Sequence, residues 1–187
     1  VPTPDTGLFR AINEWPDSLS PFLTFFSVAM NQAWVKLVLG ILLIAMIATK
    51  RETRRTAIQA LIAVGIANSF TEVFKHLWPM HRPYQDMTHV INRVGTSSME
   101  SHGTASAHSA NMAAVALIFF YHLKWWGSPW VLVAVLTGFS RVYVGAHYPY
   151  QVLLGWICGL AAAFLVAKGW DVLKALRTRP SEASENT

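Results

Sequence analysis

Between residues 140 and 151 the chain reads Ser-Arg-Val-Tyr-Val-Gly-Ala-His-Tyr-Pro-Tyr-Gln. This sets a guanidinium, Arg141, and an imidazole, His147, where one apolar segment (Trp130 to Val144) gives way to the next (Gln151 to Ala167). Pro149 suits the first turn of a helix, because its missing N–H costs little there. His147 therefore stands just before a helix start, and Gln151 stands four residues on, within reach of the ring. A fixed positive charge and a titratable ring beside a helix N-terminus make a place where an anion can react. Two other stretches have the same character: Lys75-His-Leu-Trp-Pro-Met-His-Arg82-Pro83 closes one apolar segment, and Ala105-Ser106-Ala107-His108 opens the next. Drawing a cation to bilayer depth costs about 2.5 to 3.5 kcal/mol, so three cations and two histidines gathered there need a compensating partner. A phosphate monoester or diphosphate is such a partner. Guanidinium groups fork onto phosphate oxygens, lysine adds a point charge, and N–H groups at the start of the Ser106 helix add donors.

The elements that must position these groups are apolar blocks. Of 187 residues, 53% are hydrophobic and 13% charged, against about 25% charged in soluble domains. The reading is all-α: a polytopic membrane helical bundle of about five or six transmembrane helices plus a short N-terminal interfacial helix. A soluble bundle of greasy helices is the bland alternative. Residues 1–20 form the interfacial segment, in which Leu8, Phe9, Ile12 and Trp15 share a helical face. Residues 21–170 form the membrane domain. Residues 171–187 form a charged cytoplasmic tail whose end, from Pro180, has a disordered composition. Pro21 to Met30 is too short to cross alone; with Trp34 to Thr49 it makes either one long tilted helix or a half-inserted helix followed by a span. Ala57 to Trp78, Ala105 to Leu123, Trp130 to Val144 and Gln151 to Ala167 are the other spans.

Alternate crossings put Lys50, Arg51, Arg54, Arg55, Lys124, Lys168, Lys174, Arg177 and Arg179, nine of the fifteen basic residues, on one face. The positive-inside rule makes that face cytoplasmic. The three chemical stretches then meet on the extracytoplasmic side of a cell (inner) membrane. Trp78 and Tyr148 mark the outer boundary, and Trp125, Trp126 and Trp170 the inner one. The net charge of +5 follows from this topology rather than from nucleic-acid binding, since no aromatic-basic stripe lies on a polar face. The lone Cys158 sits in an apolar run and reads as packing. His76, His81, His89, His102 and His122 fit no metal spacing, so neither a metal nor another cofactor is expected. Taken singly, Lys75 and Arg82 suit interfacial anchors, His147 an interfacial histidine, and Ser106 a helix cap. Ser106 and His108 lack the elbow and third partner of a serine nucleophile. Glu100 and His102, just upstream, are placed to touch a leaving group.

In register, the three stretches resemble the type 2 phosphatidic acid phosphatase superfamily. The family's first motif, Lys, six residues, Arg-Pro, is matched by Lys75 to Arg82-Pro83. Its second, Pro-Ser-Gly-His, is kept at Ser106 and His108 but has Ala105 and Ala107 for Pro and Gly. Its third, Ser-Arg, five residues, His, three residues, Asp, is matched at Ser140-Arg141 and His147, with Gln151 for Asp. The resemblance implies that Lys75, Arg82 and Arg141 hold the phosphate oxygens, with Ser106 and the Ala107 N–H as further donors. It implies that His147 attacks phosphorus to form a phosphohistidine, and that His108 protonates the leaving oxygen and then activates water. Gln151 lacks a carboxylate, but its amide oxygen can accept the Nδ1–H of His147 and leave Nε2 free; flipped, it would favour the wrong tautomer. On this reading Gln151→Asp preserves or raises hydrolysis. The implied substrate is a lipid-linked phosphate or diphosphate, a prenyl diphosphate such as undecaprenyl diphosphate or a phospholipid phosphate. Vanadate or phosphate is the expected inhibitor. The alternatives are a lipid phosphotransferase, or a weakened descendant that binds or moves phospholipids; vanadate-dependent haloperoxidases share the motifs but are soluble and much longer.

Overall fold

The computed structural model describes residues 5–29, 32–94 and 102–177. Among these residues the regular elements are all helical: α1 (Thr6–Asn13), α2 (Ser20–Val28), α3 (Ala33–Ala48), α4 (Arg51–Leu77), α5 (Pro83–Asp86), α6 (Ala107–Leu123), α7 (Ser128–Tyr143) and α8 (Pro149–Arg177), with 3-10 turns at Asp17–Leu19 and Lys124–Gly127. Glu100 and the tail from Pro180 fall outside the described residues.

Two helices, α4 with 27 residues and α8 with 29, are long and apolar enough to cross a membrane. At 1.5 Å per residue each runs about 40 Å, beyond a hydrocarbon core of about 30 Å. Residues 17–28 and α3 form two helices bent by 56°, which make a third candidate span if taken as one. This answers the question left open over residues 21–49: two inclined helices, not one straight one. The expected number of five or six is not reached by length alone, because α6 and α7 have 17 and 16 residues. The start of α6 and the end of α7 give way to the polar connections that carry the second and third motifs.

The basic stretch Lys50–Arg55, whose charge suggests a connection between spans, is mostly helix, since α4 starts at Arg51. Lys, Arg and Glu are good helix formers, and Glu52 in the first turn suits the helix dipole. At the other terminus α8 continues past residue 170. Asp171 accepts from Arg55 at 2.7 Å and also from the Tyr121 hydroxyl, so the start of the charged tail belongs to the bundle.

The core is built from α4, α6 and α8 around small side chains, among them Ala60, Ala63, Ala110, Ala114, Ala162 and Ala163. Small residues let membrane helices approach closely. Gly155 and Gly159, four apart on α8, carry this furthest: a Cβ would meet the Ser106 carbonyl oxygen at 2.5 Å or the Ala110 oxygen at 2.1 Å. That contact sets the height of α8 against α6, and with it Gln151 against Ser106. On the outside, Leu37, Ile44, Leu61, Leu132 and Phe164 are exposed, as suits helices solvated by lipid. Trp125 and Trp126, 81% and 87% exposed, sit at one end. Tyr148 is no boundary marker: it is buried, edge-on to Phe9 at 5.4 Å. α1 is amphipathic, but its residues part company. Phe9 and Asn13 are buried, whereas Leu8, and Trp15 just beyond the helix, are exposed.

Candidate active site

The end of α7 and the loop after it are enclosed, with residues 141–148 all buried. Gly145, at φ +79°, makes the turn that a Cβ would strain. The amides of Ala146 and His147 both donate to the Arg141 carbonyl, at 3.1 and 3.2 Å. The loop is therefore folded back onto the end of α7, and His147 is aimed by its own backbone.

Backbone bonds draw the other two stretches to it. Gly103 N–H donates to Met80 O at 2.7 Å, and Thr104 Oγ1 accepts from Met80 N–H at 3.1 Å, tying the residues before α6 to those after α4. Ser106 N–H donates to Gln151 O at 3.0 Å, tying α6 to α8. Arg82 then reaches across: its Nη1 donates to Ala146 O at 3.3 Å and faces His147 Nε2 at 3.4 Å.

Gln151, fully buried, decides the state of the imidazole. Its Oε1 accepts from Tyr148 N–H at 3.1 Å and lies 3.2 Å from His147 Nδ1, while its Nε2 donates to His81 O at 2.8 Å and to the Tyr150 hydroxyl at 3.1 Å. A flipped amide would turn its NH2 on Tyr148 N–H and its oxygen on His81 O, so the orientation is locked. A second acceptor, Gly103 O, lies 3.2 Å from the same Nδ1. With two acceptors at Nδ1 and a donor at Nε2, the proton belongs on Nδ1 and the lone pair on Nε2. Burial, then the charges of Arg141 and Arg82, hold this imidazole well below its ordinary range, while the bonds to Gln151 and Gly103 oppose them. The surroundings thus favour the neutral ring.

Arg141 projects from the last turn of α7 and is 8% exposed. Its Nη1 donates to Ser27 Oγ at 2.8 Å and Ser27 O at 3.3 Å, so α2 holds it in place. Its Nε is buried with no partner, an unmet donor that suits an anion. Ser106 caps α6. Its Oγ accepts from Ser109 N–H at 3.4 Å and Ser109 Oγ at 2.9 Å, which uses its acceptor capacity and leaves its own hydroxyl proton to donate elsewhere. Ala107 and His108 are half-buried in the first turn of α6. The charges of Arg141, Arg82 and Lys75 all act on His108, which puts these four groups in one electrostatic neighbourhood. Lys75 is the outlier: its Nζ is engaged by Glu72 at 2.7 Å. Among the described residues no group of three His, Cys, Asp or Glu side chains is placed to hold a metal ion. Of the two residues expected near a leaving group, Glu100 is outside the described residues and His102 is exposed.

The family description "PAP2 superfamily" matches residues 56–173, from α4 through α8. The chain belongs to the PAP2 superfamily. This PAP2 chain is 25% identical over 171 residues to a protein named putative undecaprenyl-diphosphatase YbjG, from Escherichia coli, covering 89% of this chain and 83% of that one. A solved PAP2-type phosphatidylglycerolphosphate phosphatase from Bacillus subtilis superposes with TM-score 0.66 at 26% identity, over 94% of this chain and 87% of the other. Aquifex aeolicus LpxE superposes with TM-score 0.74 at 22% identity, over 89% and 96%, and so shares the fold. Family and relatives together make this chain a phosphatase, a hydrolase of the membrane.

Gly103 and Ser27 escaped the sequence reading. A glycine in a polar connection and a serine in an apolar run are too common to stand out. The space around Gly103 shows its use: a Cβ there would meet Arg82 Cγ at 2.8 Å and the Gln151 amide at 3.0 and 3.1 Å. Gly103→Ala therefore has to displace two site residues at once. The expected result is a loss of about 10- to 100-fold in kcat with little change in thermal midpoint, read by phosphate release and a melting curve in detergent.

Proposed function

We propose that this protein hydrolyses a lipid-linked phosphate or diphosphate through a phosphohistidine on His147, at the extracytoplasmic face of the cell membrane. The observation that carries the reading is the His147 ring, with acceptors fixed at Nδ1 by Gln151 and Gly103, Nε2 facing Arg82, and the buried Arg141 beside it. In the proposed reaction Arg82 and Arg141 grip the phosphoryl oxygens, Ser106 and the Ala107 N–H add donors, and Lys75 contributes charge. These preorganised donors balance the charge that develops in the transition state. His147 Nε2 forms the bond to phosphorus, and His108 gives its proton to the departing oxygen. His108 then takes a proton from water as that water displaces the histidine.

α4 and α8 are read as full spans, α6 and α7 as shorter ones and residues 21–48 as a bent fifth, with residues 1–20 as the interfacial segment. The basic first turn of α4, Lys124 and the end of α8 lie at the cytoplasmic side. An apolar groove of about 390 Å³ between α6, α7 and α8, lined by Ala113, Leu117, Phe120, Trp156 and others, offers surface for a lipid chain. The names of the relatives above favour a prenyl diphosphate or a phospholipid phosphate as substrate.

Detergent-purified protein tested on undecaprenyl diphosphate, phosphatidylglycerol phosphate and a short-chain phosphatidic acid is expected to release phosphate from at least one. Orthovanadate, which mimics five-coordinate phosphorus, should inhibit competitively. Binding of these lipids without phosphate release would favour the lipid-binding alternative, and transfer of the phosphoryl group to a second lipid would favour the phosphotransferase.

A further inference from the structure

A polar side chain buried in a membrane-spanning helix without a partner calls for an explanation. Asn111 is such a residue: it lies on α6, half-buried, and its Oδ1 is enclosed and accepts no hydrogen bond. It follows His108 by three residues, so the two side chains share a face of the helix. Helical side chains lean toward the N-terminus, so the Asn111 amide covers the turn that carries His108. The His108 ring, half-buried among the charges of Arg141, Arg82 and Lys75, has no hydrogen-bond partner among the described residues. An unmet acceptor and an unmet ring N–H thus sit one turn apart on the same face.

We propose that Asn111 is a positioning residue whose Oδ1 accepts the ring N–H of His108 that points away from the substrate, aiming the other ring nitrogen at the leaving oxygen. The assignment rests on the reading of His108 as proton donor. In that step the bond from His147 Nε2 to phosphorus forms and the bond from phosphorus to the leaving oxygen breaks. The proton on the substrate-facing nitrogen of His108 passes to that oxygen. The N–H held by Asn111 stays in place throughout, so the ring is aimed equally well as acid and, in the second step, as base. Hydrogen bonds of this kind are commonly long without substrate and tighten when it binds. An uncharged acceptor also fits the place, since it orients the ring without cancelling the cations that hold phosphate.

The test uses two leaving groups. A short-chain phosphatidic acid releases an alkoxide that needs the proton; p-nitrophenyl phosphate releases a phenolate that departs without one. kcat/KM, which reports the step up to phosphohistidine formation, is expected to fall about 10- to 100-fold in Asn111→Leu for the lipid and to stay within about threefold for p-nitrophenyl phosphate. Asn111→Asp keeps an acceptor oxygen and should restore the lipid rate to within about tenfold of wild type. It also stands in should the leucine variant fail to fold. Equal losses on both substrates in the folded variants, or no loss on the lipid, would overturn the assignment. The two failures are separable: turnover retained in His147→Ala strikes the phosphohistidine reading, whereas an inactive His147→Ala beside an unaffected Asn111→Leu strikes only the role of Asn111.

Discussion

Replacing His147 with alanine is expected to lower phosphate release by about 10⁴-fold or more, with lipid binding largely retained. Arg82 has its own anchor on the Ala146 carbonyl, and Arg141 is anchored on Ser27, so the proposed grip on the phosphoryl oxygens should outlast the loss of the imidazole. On the proposed mechanism what disappears is the nucleophile. The side chain is almost wholly buried, so truncation leaves the Gly103 carbonyl and the Gln151 oxygen short of a donor. A modest fall in thermal midpoint should accompany the loss of activity. The pattern to look for is kcat collapsing while the affinity for a lipid phosphate, measured by equilibrium binding, changes less than tenfold.

Gln151→Leu should rank next, at about 10² to 10⁴-fold in kcat. The leucine has nearly the volume of the amide but meets none of its four neighbours: the His147 ring, Tyr148 N–H, His81 O and the Tyr150 hydroxyl. Each buried group so orphaned costs about 1 to 3 kcal/mol, and the ring loses the contact that keeps its proton on Nδ1. Gly103 O remains as a second acceptor, which is why the loss is smaller than for His147→Ala. The amide's two donors also change the outlook for Gln151→Asp. A carboxylate can still accept at Nδ1, but it is one methylene shorter and offers the His81 carbonyl no hydrogen. Its activity is expected between that of wild type and Gln151→Leu, rather than at or above wild type as the motif alone suggested. Steady-state kinetics on the three proteins rank them directly.

The helical class, the long apolar blocks and the three polar stretches at their ends were legible from hydropathy, because a membrane span must write itself as an unbroken apolar run. Helix ends were not. Arg51 to Arg55 look like a loop by charge but are good helix formers held by the first turns of α4, and Asp171 looks like the start of a tail but is bonded to Arg55. Candidate site residues could be picked out where chemistry demands a residue type, at Arg82, Arg141 and His147, and the fold brings these three into one electrostatic neighbourhood. The site was not legible where the requirement is for space or for a backbone atom. Gly103 supplies a carbonyl to His147 and room for Arg82, and neither leaves a mark on composition. Likewise, spacing brought Gln151 to His147, but only its contacts with His81 and Tyr150 fix which end of the amide faces the ring. Asn13 and Arg93 belong to the same class. Both bond to the Tyr143 carbonyl, at 2.9 Å each, and so tie α1 and the residues after α5 to the third-motif loop. Nothing in their local sequence announces a partner fifty or more residues away.

The most direct test is to quench the protein during turnover of a ³²P-labelled lipid phosphate, under alkaline conditions that preserve phosphoramidates, and to map the label. The account predicts a phosphoryl group on Nε2 of His147, absent from His147→Ala and lost when the labelled enzyme is chased with water. Label on His108, on Ser106 or on no residue at all, in protein that is releasing phosphate, would contradict it.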